Sequence, residues 1–235
     1  MLFRSPPKWG ARTSSGVTAR DLALRMYERR LPLGLGALAV VSAALGWWGY
    51  HTWRTRQEEA AQALMTRALT GFEALLKVTE GGKPSEGNSG VLEEAQVLLP
   101  QIRKEYPSSK AAEQALLLMG NISYQRADYE KALRAYQGYL EQYPAGSWVL
   151  LAGIGKGYTL EAQQRYEDAA AIFRTLGERY KDSSLSIEAL LGLARSLSHL
   201  DRRAEAVEVY RRIAEEYAGT SWARRAEELM AVGER

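Results

Sequence analysis

Apolar and polar positions divide the 235 residues into three regimes. Residues 1–30 are basic and polar, with Pro6-Pro7, Gly10 and Gly16 breaking any helix before Val17 and a helical pattern feasible over 17–30. Leu31 to Tyr50, LPLGLGALAVVSAALGWWGY, contains no charge. As a helix its 20 residues would rise about 30 Å, the thickness of a bilayer's hydrocarbon core. Beyond it the pattern is helical to the end of the chain. Ala61, Leu64, Ala68 and Phe72 place one apolar face on a helix over Gln57–Thr79. Residues 80–90, EGGKPSEGNSG, have no helical period and are expected to form a flexible loop.

A period of 37 residues then sets in. It aligns Ala95, Ala132, Ala169 and Ala206, and likewise Tyr106, Tyr143, Tyr180 and Tyr217. Leu99, Tyr136, Phe173 and Tyr210 keep the same register, as do Ile102, Tyr139, Leu176 and Ile213. A fixed period of this size means stacked helical hairpins, because one hairpin cannot bury its apolar face alone. In each hairpin the small alanine lets the second helix approach the first, and the residue four positions on fills the groove beside it. The closing tyrosine is expected to pack under the next hairpin. Ser147, Ser184 and Ser221 stand where the next helix needs an N-cap. Pro100 is expected to interrupt the second helix of an irregular first hairpin, and Ser221 to Val232 to cap the stack.

Charge refines the picture. Residues 1–30 carry a net +5 and residues 51–235 a net −2, so the basic balance belongs to the leader. A body of that charge offers no footprint for nucleic acid. Without cysteine, thiolate metal sites, a Cys nucleophile and a lipid-modified Cys are excluded. The histidines, His51 and His199, have no ligand spacing, so no zinc site is expected. The run Gly153-Ile-Gly155-Lys156-Gly157 fails as a phosphate-binding loop. Leu150 occupies the first glycine position and Gly157 replaces the hydroxyl, so the glycines are read as close-packing residues in a helix. No catalytic constellation emerges. The expectation is a non-enzyme with no cofactor and no small-molecule substrate.

Positive flanks stay cytoplasmic, so seven basic residues before the apolar stretch predict an N-in orientation with the body outside. Trp47, Trp48, Tyr50 and Trp53 form an aromatic belt at its outer end, as an uncleaved signal anchor would have. Gly36, Ala39, Ala43 and Gly46 share one small face with Pro32, opposite Leu38, Val41, Leu45 and Trp48. Small residues allow close helix approach in a membrane, which makes this face a candidate docking surface for another transmembrane helix.

YQRADYEKALRAYQGYLEQYP (Tyr124–Pro144) resembles the tetratricopeptide repeat through Gly120, Tyr129, Ala132, Tyr136 and Pro144. Gly157, Tyr166, Ala169 and Phe173 carry the resemblance in the next hairpin, and Ala194, Ala206 and Tyr210 in the third, where Arg203 replaces the usual aromatic. The implied fold is all-α, a single transmembrane helix followed by a tetratricopeptide-like solenoid. Its domains are a leader (1–30), a transmembrane helix (31–50), a continuing helix and loop (51–90) and the repeats (91–235). In that family's register the first helix of each hairpin lines a concave face. Leu117, Asn121, Tyr124, Tyr158, Glu161, Arg195 and His199 are then the candidate groove for an extended peptide or partner helix. Leu117 stands where a peptide-carboxylate clamp needs Lys, so a terminal carboxylate ligand is not expected. The full layout resembles the YfgM-like family of ancillary SecYEG translocon subunits. That resemblance implies a bacterial inner-membrane protein with a periplasmic body, partnered by the translocon and a periplasmic chaperone. The alternative is a cell-envelope scaffold of the Tol–Pal or division-coordinator type.

Overall fold

Backbone hydrogen bonds build two kinds of joint, and each recurs in register. Where one hairpin passes to the next, the N–H groups of Ser109, Gly146, Ser183 and Thr220 donate to the carbonyls of Tyr106, Tyr143, Tyr180 and Tyr217, at 3.0, 2.9, 2.9 and 3.2 Å. Within a hairpin, Asp128, Arg165 and Arg202 reach back to the carbonyls of Ser123, Leu160 and Leu197 at 2.9, 2.9 and 3.0 Å. That six-to-one bond closes a helix with a left-handed residue. Ala127, Gln164 and Asp201 supply it, at φ of 58, 60 and 58°.

The computed structural model describes residues 19–79 and 86–233, where every element is an α-helix and no strand occurs. In chain order these are α1 (Ala19–Thr79), α2 (Glu86–Glu105), α3 (Lys110–Gln125), α4 (Tyr129–Gln142) and α5 (Val149–Ala162). They continue as α6 (Tyr166–Arg179), α7 (Ser186–His199), α8 (Arg203–Glu216) and α9 (Ser221–Gly233). The chain divides into two compact units, Met1–Arg54 and Thr55–Arg235.

In the second unit, α3–α4, α5–α6 and α7–α8 are hairpins, and α9 closes the stack against α8. The first helices of the hairpins also touch one another, α3 with α5 and α5 with α7. Among the described residues the second helices α4, α6 and α8 make no comparable mutual contact. The layer of first helices is therefore the inner side of the curve. At each hairpin contact an alanine is fully or almost fully buried, Ala132, Ala169 and Ala206 among them. Ala61, Met65 and Ala68 of α1 join Leu99 and Ile102 of α2 and Ala112 of α3 in a core of their own.

The glycines of the Gly153–Gly157 run are packing residues. A Cβ on Gly157 would meet the Phe173 ring at 2.5 Å, and one on Gly192 would meet the same ring at 2.6 Å. Tyr136 sits the same way between Gly120 and Gly155, at 2.6 and 2.5 Å. Each large ring thus lies between two first helices, and both must be bare of a side chain there.

Several expectations change. The N-caps at Ser147, Ser184 and Ser221 are displaced by one residue: Trp148 and Leu185 precede α5 and α7 without a side-chain cap, and Ser221 is the first residue of α9. Ser109 Oγ caps α3 through Ala112 N at 3.0 Å, and Thr220 Oγ1 accepts from Ala223 N at 3.3 Å. The joint is made by backbone groups, so a neighbouring serine is not needed. Pro100 lies inside α2, exposed, and the helix runs on to Glu105. On an exposed face the missing N–H bond is the main loss, and burial of Leu98, Leu99 and Ile102 holds the helix through it. Of the loop expected over 80–90, residues 86–90 are instead helical, since α2 begins at Glu86. An acid at the start of a helix complements its dipole, and Ser and Gly cost only up to about 1 kcal/mol each. Residues 80–85 lie outside the described residues. Tyr180 packs against the core clusters on both its sides, as a closing tyrosine should, but the Tyr217 hydroxyl turns back to Ser186 Oγ of its own hairpin at 2.8 Å.

One polar knot breaks the repeat. The Tyr139 hydroxyl donates to Glu113 and accepts from Trp148 N at 3.0 Å, while Ser147 N donates to Glu113 at 3.1 Å. Burial, then donation to the carboxylate, pushes the Tyr139 phenol well above its ordinary pKa. Tyr139→Phe strands Trp148 N–H and leaves the Glu113 oxygen with Ser147 N alone, and is expected to cost about 1–3 kcal/mol, read from the urea midpoint by circular dichroism. An unchanged midpoint would mean that water replaces the hydroxyl at no cost.

In the first unit, α1 begins at Ala19, and the leader 1–16 lies outside the described residues. Leu38, Val40, Val41 and Leu45 are 57–69% exposed, as are Trp47, Trp48, Tyr50 and Trp53. Gly36, Ala39, Ala43 and Gly46 are exposed too, with no atom within 4 Å of a Cβ built on Gly36 or Gly46. Among the described residues no helix is long and apolar enough to cross a membrane. Of the expected span, the side chains of 31–35 and 37 lie outside the description.

Candidate functional site

The inner face of the second unit is lined by residues that helical spacing turns away from the second helices. Leu117, Asn121 and Tyr124 project from α3, one turn apart; Leu151, Ile154, Tyr158 and Glu161 follow along α5; Arg195 and His199 lie on α7. Three adjoining cavities result. The first, about 290 Å³ between α3 and α5, includes Leu117, Asn121, Tyr124 and Tyr158, with Phe72 of α1. The second, about 580 Å³, shares Tyr124, Gln125 and Tyr158 with the first and adds Glu161, Arg195 and His199. The third, about 470 Å³, shares Arg195 and His199 with the second and reaches Arg203 and Tyr210 of α8. The seven residues expected from the sequence therefore line one continuous groove.

Most polar groups in it are already oriented by neighbours. Arg195 grips Glu161 with Nε and Nη2, at 3.1 and 2.5 Å, and Ser196 Oγ donates to the same carboxylate at 2.8 Å. The guanidinium lies 5.2 Å over the Tyr158 ring, which meets Phe173 edge-on at 5.5 Å. The Tyr158 hydroxyl donates to Glu188 at 2.8 Å. Burial, then that hydrogen bond, pushes its pKa up to about 12, so it remains a neutral donor throughout the working range. The Tyr136 hydroxyl donates to Asn121 Oδ1 at 2.7 Å, and His199 stacks flat on Tyr166 with centroids 4.4 Å apart. Pinned aromatic walls of this kind lose little entropy when a ligand binds. Nothing in the arrangement pairs a nucleophile with a base, and no group of three or more His, Asp or Glu able to hold a metal occurs among the described residues.

Sequence reasoning missed part of the lining. Ile154 stands 37 residues after Leu117 and was open to the same register argument. Gln125 sits one turn from the expected Asn121, and Leu151 two turns from the expected Tyr158. Phe72 carried no signal, because α1 lies outside the repeat. Arg203 was visible as a departure at an aromatic position, and its place in the groove is what that departure accomplishes.

A family model described as tetratricopeptide repeat matches residues 114–145, 155–183 and 188–220, which reaches into each of the three hairpins and takes in all seven groove residues. No curated protein matches the chain.

Proposed function

The chain carries tetratricopeptide repeats, typically non-catalytic scaffolds for protein interaction, and on that premise we propose that it is a membrane-anchored adaptor at the bacterial Sec translocon whose groove receives a segment of a partner protein. The observation that carries the adaptor reading is the continuous groove, with rigid aromatic walls and no reactive group. Residues 31–50 form the anchor in this reading. They carry no charge, and among the described residues the large side chains from Leu38 to Tyr50 are exposed. Basic residues on the leader hold the N-terminus in the cytoplasm, which puts the repeats in the periplasm. Gly36, Ala39, Ala43 and Gly46 offer the face on which a translocon helix docks, and a periplasmic chaperone is the partner recruited to the repeats.

The test is purification of the chain from membranes in mild detergent, with mass spectrometry of what accompanies it. Translocon subunits and a periplasmic chaperone should be recovered. The translocon subunits should be lost when Gly36, Ala39, Ala43 and Gly46 are all changed to Leu. Recovery of Tol–Pal or division proteins instead, indifferent to those changes, would replace the translocon with a cell-envelope scaffold. A reporter fused after Arg235 that proves cytoplasmic would overturn the topology.

A further inference from the structure

The groove changes chemical character along its length, and equivalent repeat positions carry the change. One position reads Asn121, Tyr158, Arg195 in successive hairpins, and another reads Tyr129, Tyr166, Arg203. Both series end in arginine at the same end of the groove. Among the described residues no charged one lines the cavity between α3 and α5. The cavity at α7 and α8 holds Arg195, Arg203 and His199 and, among the described residues, no acid. The middle cavity contributes Glu161, whose side chain is 11% exposed beneath Arg195, itself 44% exposed. The acid is covered and the cation is presented. Arg203 meets only Asp201, at 3.1 Å, with both side chains largely in solvent, a pairing that an incoming carboxylate can replace.

We propose that the segment taken by the groove is an extended acidic–apolar polypeptide. Apolar side chains seat against Leu117, Leu151 and Ile154, and an acidic side chain further along meets Arg195 and Arg203. This rests on the reading of the groove as the partner site. Packed helices lie about 8–10 Å apart, so two helix spacings separate the apolar seat from the arginines by about 15–20 Å, which an extended chain covers in about five or six residues. The apolar end supplies burial. The cationic end supplies direction and rejects segments that bring lysine there, because like charges brought together in a groove raise the free energy of the wrong complex.

The experiment uses the full chain in uncharged detergent and a fluorescein-labelled nine-residue peptide, acetylated and amidated so that neither terminus is charged. The peptide has leucine at positions two and three, aspartate at seven and eight, and glycine or serine elsewhere. Companion peptides carry asparagine or lysine in place of aspartate. Fluorescence anisotropy should show the aspartate peptide binding about tenfold tighter than the lysine peptide, a preference that shrinks with added salt. Arg203→Gln, which leaves the Arg195–Glu161 pair intact, should cut the preference about threefold, and Arg195→Gln with Arg203→Gln should abolish it. Leu151→Asp should weaken all three peptides. If the three bind equally and Leu151→Asp still weakens them, the groove is the site and the acidic–apolar inference is wrong. If none binds, or Leu151→Asp changes nothing, the inference and the groove reading both fall.

Discussion

Gly157→Leu and Phe173→Ala should each destabilise the repeats by about 3 kcal/mol or more, and the double variant should lose less than the sum. Phe173 is fully buried, and its removal leaves a ring-sized hole in the core shared by α5 to α9. At Gly157 the first added carbon would stand 2.5 Å from the same ring, which has little room to retreat because Gly192 packs on it so closely that a Cβ added there would also meet it at 2.6 Å. Leu in place of Gly improves helix propensity by about 0.8 kcal/mol, too little to offset that clash. In the double variant the new leucine enters the space the ring has left, so a coupling of about 2 kcal/mol is expected from urea midpoints of the four proteins. Strict additivity would mean that ring and glycine are not packed against each other.

On the proposed anchor reading, Val41→Arg with Leu45→Arg should move the chain from the alkali-resistant membrane fraction to the soluble one. Each arginine near the middle of a spanning helix costs about 3 kcal/mol on insertion scales, so together they oppose insertion by about 6 kcal/mol. Val97→Arg is the control. Val97 is 68% exposed on α2, outside residues 31–50 of the sequence, and on the same reading its replacement should leave the chain in the pellet. If the double variant also stays there, residues 31–50 do not hold the chain in the bilayer.

The repeat was legible because each of its tracks answers to one physical demand. Ala132, Ala169 and Ala206 must be small, and Tyr136, Phe173 and Tyr210 must be large, so composition at a fixed period reported the contact directly. The groove followed from that register, since α3, α5 and α7 turn equivalent positions to the same side. The joints were misread by one residue for an equally physical reason. Gly146, Ser183 and Thr220 share a backbone bond and no side-chain requirement, and adjacent serines at 147, 184 and 221 imitated a cap. The knot of Glu113, Tyr139 and Trp148 has no copy elsewhere, so periodicity could not find it. Nor could it pair Gly157 with Phe173, or Gly155 with Tyr136, because those partners lie on different helices. Phe72 joins the groove from α1, which the period does not reach.

The recurring joints have a consequence for how such a chain can change its length. Every hairpin begins and ends on the same backbone bond, the tyrosine carbonyl accepting at residues 106, 143, 180 and 217, and turns on the same left-handed residue, at 127, 164 and 201. A gene segment encoding 37 residues, duplicated or deleted between two such tyrosines, rejoins the chain at a seam it already uses. The groove then grows or shrinks by one helix spacing, and the flanking chemistry is carried along unchanged. In this chain the reach of the binding surface can evolve in whole steps, separately from the amino acids that decide what it holds.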